Sequence, residues 1–121
     1  MSKSSEDYIK TIYILKNEKE SVHSIDVARA LGFSRASVSN AMAGLKESGM
    51  IVMDKRGEIN FTDEGEKIAA SIYEKHAMLS RFLKKVAGVD DETAGKDACK
   101  IEHIISPETY EGIRRFTDET R

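Results

Sequence analysis

A chain of 121 residues, 40% hydrophobic and 33% charged, has room for one compact domain and a short second one and is too apolar to be disordered. The net charge of −2 hides an asymmetry. Residues 1–62 carry nine Lys/Arg against eight Asp/Glu and residues 63–121 ten against thirteen, so any nucleic-acid-binding face belongs to the first half. The single cysteine excludes an internal disulfide, and the first residues lack the apolar core of a secretory signal or membrane span; the expected address is the cytoplasm, where Cys99 stays a thiol.

One proline and eight glycines leave long stretches free to be helical. Ser4 or Ser5 is the expected cap of a first helix, in which Tyr8, Ile9, Ile12, Tyr13 and Leu15 repeat at helical spacing as far as about Glu20. Ser24 is the expected cap of a short helix, Ile25 to Leu31, closed by Gly32, and Ser34 caps a third helix that buries Val38, Met42 and Leu45 and stops at Gly49. Two short helices joined by a glycine turn form the helix-turn-helix pattern, whose second helix lies in the major groove.

Two strands follow at once, Met50 to Met53 and Ile59 to Thr62, around the turn Asp54-Lys55-Arg56-Gly57-Glu58. A hairpin with Lys55 and Arg56 at its tip, placed directly after a helix-turn-helix, is a winged helix. Thr62 then caps a long helix to about Ala87, ended by Gly88. Asp91 is the expected cap of a helix to about Ile105, and Ser106-Pro107 opens a last helix through Phe116.

The helical face that reads DNA comprises Ser34, Arg35, Ala36, Ser37, Ser39, Asn40 and Lys46. Asn pairs with adenine edges, Arg and Ser with phosphate or base, and Ala36 and Ser37 are small enough to approach thymine methyls. The wing adds Lys55 and Arg56 as phosphate contacts. The same residues also suit a merely solvated face. His23 is expected to be an ordinary surface residue.

Cys99, Glu102 and His103 stand at i, i+3 and i+4, so one helical face offers a thiolate, a carboxylate and an imidazole. These are three types of metal ligand, and Glu102 and His103 make an expensive apolar face unless something pairs them. His76 on the long helix and Asp7 on the first are available to complete the shell. A metal-free alternative is a regulator that senses redox state by oxidation of Cys99. No nucleophile, general base or phosphate loop accompanies the trio, so no enzyme is expected.

The stretches Ser5-Glu6-Asp7-Tyr8-Ile9-Lys10-Thr11-Ile12-Tyr13, Lys75-His76 and Asp97-Ala98-Cys99-Lys100-Ile101-Glu102-His103-Ile104-Ile105-Ser106, ordered around a winged helix, resemble the diphtheria toxin repressor/manganese transport regulator family. The resemblance covers nearly the whole chain. It implies a mainly α fold: residues 1–62 form a winged helix-turn-helix with a small hairpin wing, and residues 63–121 a helical metal-binding and dimerisation region. It further implies a homodimeric repressor of metal-uptake genes on a palindromic double-stranded DNA operator, with no membrane or small-molecule substrate. The implied activator is iron(II) or manganese(II), with cobalt(II), nickel(II) or zinc(II) able to bind in vitro.

By the same resemblance Asp7, His76, Cys99, Glu102 and His103 match family metal ligands, with either the Cys99 sulfur or a nearby backbone carbonyl contributing. Lys10 stands where the manganese branch has a second carboxylate, against a two-metal site of that design. Cys99 is similar to the iron branch and Asp7 to the manganese branch, which makes the set a hybrid. Ser80 and Gly95 replace ligands of an ancillary site, and the resemblance includes no C-terminal barrel domain. Ile101, Ile104, Ile105, Tyr110, Ile113 and Phe116 are the candidate dimer core.

Overall fold

The computed structural model describes residues 2–119. Helix α1 (Lys3–Glu18) begins earlier than its serines suggest: Ser2 Oγ accepts the Ser5 N–H at 3.2 Å, which puts Ser4 and Ser5 inside the first turn. It buries Tyr8, Ile9 and Ile12, and Lys10 beside them. Helix α2 (Ser24–Leu31) is capped one residue before Ser24, at His23, because the Asp26 carboxylate reaches back to accept the His23 N–H at 2.8 Å. Its other oxygen accepts from Lys19 Nζ at 2.6 Å, and this bond, then the His23 N–H, holds the Asp26 carboxyl below its ordinary range.

Gly32 adopts φ +69° and closes α2 as expected, and Ser34 Oγ caps α3 (Arg35–Glu47) through the Ser37 N–H at 3.1 Å. Val38, Met42 and Leu45 point into the core at i, i+4 and i+7. Strands β1 (Ile51–Met53) and β2 (Ile59–Phe61) pair antiparallel, with Ile51 opposite Phe61 and Met53 opposite Ile59. They end one residue sooner than the sequence suggests at this end: the Thr62 N–H still bonds to Met50 O, 3.1 Å away, in the same register, but Thr62 already serves as the cap of the next helix.

The hairpin is tied down on one side. The Ile59 N–H donates to Val22 O at 2.8 Å, and Lys16 Nζ donates to Ile59 O and Asn60 Oδ1 at 2.8 and 2.7 Å. Thr62 Oγ1 accepts the Gly65 N–H at 3.0 Å and so caps α4 (Asp63–Phe82). Gly65 lies so close to Met50 that a Cβ there would stand 1.9 Å from the Met50 carbonyl oxygen. Ile9, Ile12, Val22, Val27, Val38, Met42, Leu45, Ile51 and Ile59 form the core of this first compact unit, Met1–Ile72.

The second unit, Tyr73–Arg121, begins inside α4. The long helix does not stay regular to Ala87: Leu83–Ala87 forms a π-helical turn that ends at Gly88 with φ +70°. Asp90, not Asp91, caps α5 (Asp91–Ile101) through the Thr93 N–H at 2.8 Å. α5 ends four residues before Ile105. The chain tightens into bonds such as Ile104 N–H to Ile101 O at 3.0 Å, ahead of Ser106-Pro107, where proline disfavours a helical preceding residue. Ser106 Oγ then caps α6 (Pro107–Glu119) through the Thr109 N–H at 3.2 Å.

Leu79, Ala94, Ala98 and Thr117 are the buried centre of this unit, with Phe82 and Phe116 edge to face at 6.4 Å. Arg81 joins α4 to α6 by an ion pair with Asp118 at 2.9 Å. Of the expected dimer core, Ile104 is 83% and Phe116 48% exposed, while Ile101, Ile105, Tyr110 and Ile113 are half-buried. Among the described residues, no helix is long and apolar enough to cross a membrane.

Candidate functional site

The nine residues singled out for DNA all lie in the first unit, and all are exposed. The physical reason is the α3 stripe. With Val38, Met42 and Leu45 committed to the core, Ala36, Ser37, Ser39, Asn40 and Lys46 must project to the other sides, and Ser34 and Arg35 open the helix at its solvent end. Ser34 also holds the cap, which orders the first turn that a recognition helix would present.

Lys55 and Arg56 occupy the tip of the hairpin. The turn is shaped by Asp54, whose Oδ1 accepts the Arg56 N–H at 2.8 Å and the Glu58 N–H at 2.9 Å, and by Gly57 at φ +82°. These two backbone donors, Glu58 first, hold the Asp54 carboxyl below its usual range. A notch of about 320 Å³ lined by Ser24, Ile25, Arg35 and Ser39 opens between the starts of α2 and α3.

His23, expected as an ordinary surface residue, keeps 38% of its side chain exposed and also has a local structural role. It caps α2, its ring faces Gly57 of the wing turn, and its Nδ1 lies 3.9 Å from Asp26 Oδ2. The signal was present in Asp26, an acid three residues past a possible cap.

Of the five candidate ligands, four belong to the second unit. Glu102 is 2% exposed, and its Oε1 lies 3.0 Å from Nδ1 of His76 on α4. A carboxylate withdrawn this far from water needs a cation or a hydrogen-bond donor beside it, and the imidazole is one such partner. Cys99 sits in the last turn of α5. Its Sγ and a ring nitrogen of His103 lie within 4.8 Å of each other.

The trio does not share one regular helix: Glu102 is the C-cap of α5 and His103 lies in the turn beyond. Glu102 keeps right-handed helical angles, φ −58° and ψ −23°, and its N–H still bonds to Ala98 O, whereas the His103 N–H turns to Lys100 O, three residues back, at 3.4 Å; the tighter turn still leaves His103 near Cys99. Asp7 is a residue of the first unit, half-buried on α1 one turn ahead of Lys10. The donor set of the second unit, two imidazoles, a carboxylate and a thiolate, suits a divalent transition ion of intermediate softness.

Comparison with known proteins adds two family matches. Residues 1–59 match the N-terminal DNA-binding domain of iron-dependent repressors, and residues 62–121 match their metal-binding and dimerisation domain. An uncharacterised HTH-type transcriptional regulator of Methanocaldococcus jannaschii is 31% identical over 120 residues, covering 98% of this chain and 96% of its own. The transcriptional regulator MntR of Escherichia coli O6:H1 is 35% identical over 114 residues, covering 94% of this chain and 73% of its own. Among solved structures, the manganese regulator SloR superimposes with a TM-score of 0.83 at 26% identity over 94% of this chain, which spans about half (53%) of that chain.

Proposed function

The chain belongs to the iron-dependent repressor family, that of the diphtheria toxin repressor and manganese transport regulator, and from that premise we propose a repressor of metal-uptake genes activated by iron(II) or manganese(II). That it is a metal-dependent transcriptional regulator and not an enzyme follows from the family itself. The descriptions of the two matched domains support a division of labour. Residues 1–62 would bind DNA and residues 63–121 would bind metal and dimerise, as a cytoplasmic homodimer on a palindromic operator.

The observation that carries the metal reading is the buried Glu102 carboxylate against His76, in the unit that also brings the Cys99 sulfur near a His103 nitrogen. These four side chains, with Asp7 supplied by α1, would hold one ion. Lys10, three residues past Asp7 on α1, stands by the family resemblance where the manganese branch has a second carboxylate, which favours one metal over two. The ion would supply positive charge and a cross-link between ligands distant in the chain.

The chain's own part is to offer those ligands from two different helical segments and α1, so that occupancy restricts how the DNA-reading residues are presented. An ion present at about 100 times its dissociation constant biases the competent form by about 2.7 kcal/mol per site. The thiolate pulls the preference towards iron(II), and the two carboxylates pull it towards manganese(II).

The test is an anaerobic titration of the metal-stripped protein with iron(II), manganese(II) and cobalt(II), with DNA affinity followed in parallel. The probe is a duplex selected from a random pool by the manganese-loaded protein. Metal should raise affinity and a chelator should reverse it. DNA binding that ignores the chelator but falls on oxidation of Cys99 would replace this reading with a redox one.

A further inference from the structure

We propose that the ring pair Tyr8–Phe33 relays the state of the metal site to the recognition helix, with Phe33 acting as a positioning residue. The proposal deepens the reading above and rests on it, since it takes Asp7 as a ligand and α3 as the DNA reader.

Asp7 and Tyr8 are consecutive on α1, where the backbone is stiff, so a shift that brings Asp7 to a ligand position moves the Tyr8 ring with it. Tyr8 is 8% exposed and meets Phe33 edge to face, with centroids 5.9 Å apart and planes at 67°. Phe33 lies between Gly32, the left-handed residue that closes α2, and Ser34, the cap of α3. Its N–H is fixed on Ala28 O at 3.1 Å, which makes Phe33 part of the turn that aims the recognition helix.

Two further observations favour a relay over simple packing. Phe33 is 49% exposed, so burial alone does not account for a large apolar side chain in this turn, and its ring contact with Tyr8 ties the turn to α1. Beside that contact, a groove of about 570 Å³ lined by Ser4, Ser5, Tyr8, Ala41, Gly44, Leu45, Ser48 and Met50 separates the first turns of α1 from the second half of α3. The groove gives the start of α1 room to shift; further along, Ile9 and Ile12 share one buried core with Val38 and Met42, and the ring contact at Phe33 adds to that core a link between α1 and the turn before α3.

The measurable quantity is the ratio of DNA affinity with manganese to that without it, which by linkage equals the factor by which DNA raises manganese affinity. Phe33→Ala should leave manganese affinity without DNA close to the parent's and lower the urea midpoint only modestly, because the ring pair is lost but half of Phe33 is exposed. The ratio should fall about two- to tenfold, the range that one edge-to-face pair supports. Phe33→Leu, which keeps apolar bulk but no ring, should lower it too. Tyr8→Leu combined with Phe33→Ala should lower it no further than Phe33→Ala alone, as expected of two partners in one contact.

An unchanged ratio in Phe33→Ala overturns the proposal. So does an equal loss of affinity with and without metal, which would make Phe33 a direct DNA contact or a folding residue. Asp7→Ala separates this failure from that of the underlying reading. If Asp7→Ala keeps manganese affinity and the full ratio, the ligand assignment fails and the relay with it. If Asp7→Ala loses manganese while Phe33→Ala keeps the full ratio, the assignment stands and only the relay falls.

Discussion

Replacing Gly65 by alanine sets two effects against each other. A methyl in the first turn of α4 raises helix propensity by at most about 1 kcal/mol. The same methyl would stand 1.9 Å from the Met50 carbonyl oxygen and 2.8 Å from its carbon, so the backbones must part by about 1.5 Å to restore ordinary contact. The obstacle is not a flexible side-chain end that can swing away. Met50 O accepts the Thr62 N–H, and the neighbouring Gly49 O accepts from Thr62 Oγ1 at 2.6 Å, so separation strains the junction of β1, β2 and α4.

Overpacking costs typically 1–3 kcal/mol, and a rigid backbone puts this case at the upper end, for a net loss of about 2–3 kcal/mol. With a urea dependence of about 1–3 kcal/mol per M, the unfolding midpoint should drop by roughly 0.7–3 M. Gly44→Ala is the control: it lies inside α3 with open space around its added methyl, and it should gain about 0.5–1 kcal/mol. A Gly65→Ala midpoint at or above the parent's would refute the reasoning.

Three other outcomes are expected. Lys55→Ala should weaken binding to all duplexes alike and make the dependence of log affinity on log salt shallower by about 0.9 for each wing that loses a phosphate contact; salt titration reads this, and an unchanged slope excludes the contact. Cys99→Glu should shift activation towards manganese(II) and abolish the thiolate charge-transfer band of the anaerobic cobalt complex, whereas matching spectra would remove the sulfur from the site. Asp26→Asn should destabilise the first unit at neutral pH, because the carboxylate that receives Lys19 and the His23 N–H is held below its ordinary pKa of 3.8. A lowered carboxyl pKa stabilises the fold above that value and stops doing so as pH falls through the folded one, so urea midpoints of parent and variant should converge below about pH 3.8.

Much of the fold was readable because its signals are local. Gly32, Ser34, Thr62, Ser106 and the 38, 42, 45 stripe are short-range instructions, and each sits where expected. The starts of α1 and α2 were misplaced because several serines compete for each cap, and the choice falls to which oxygen reaches a free N–H: Ser2 to Ser5 in one case, Asp26 back to His23 in the other. Pro107 restricts only Ser106 and does not mark the end of α5 at Ile101, and the π turn at Leu83–Ala87 has no composition signature. For the site, the 99, 102, 103 spacing was visible in sequence. The approach of His76 to Glu102 was not, since 26 residues separate them and only folding brings them to 3.0 Å.

The wing turn also bears on the entropy of complex formation. Asp54 pins two backbone N–H groups and thereby fixes the loop before any duplex arrives, so Lys55 and Arg56 are carried on an already ordered strand connection. Loops that order only on contact surrender freedom at that moment, whereas here that loss falls on folding. The two backbone donors keep Asp54 ionised, so its charge remains beside Lys55 and Arg56; what it would add in a complex with a duplex is a shorter search for the docked arrangement.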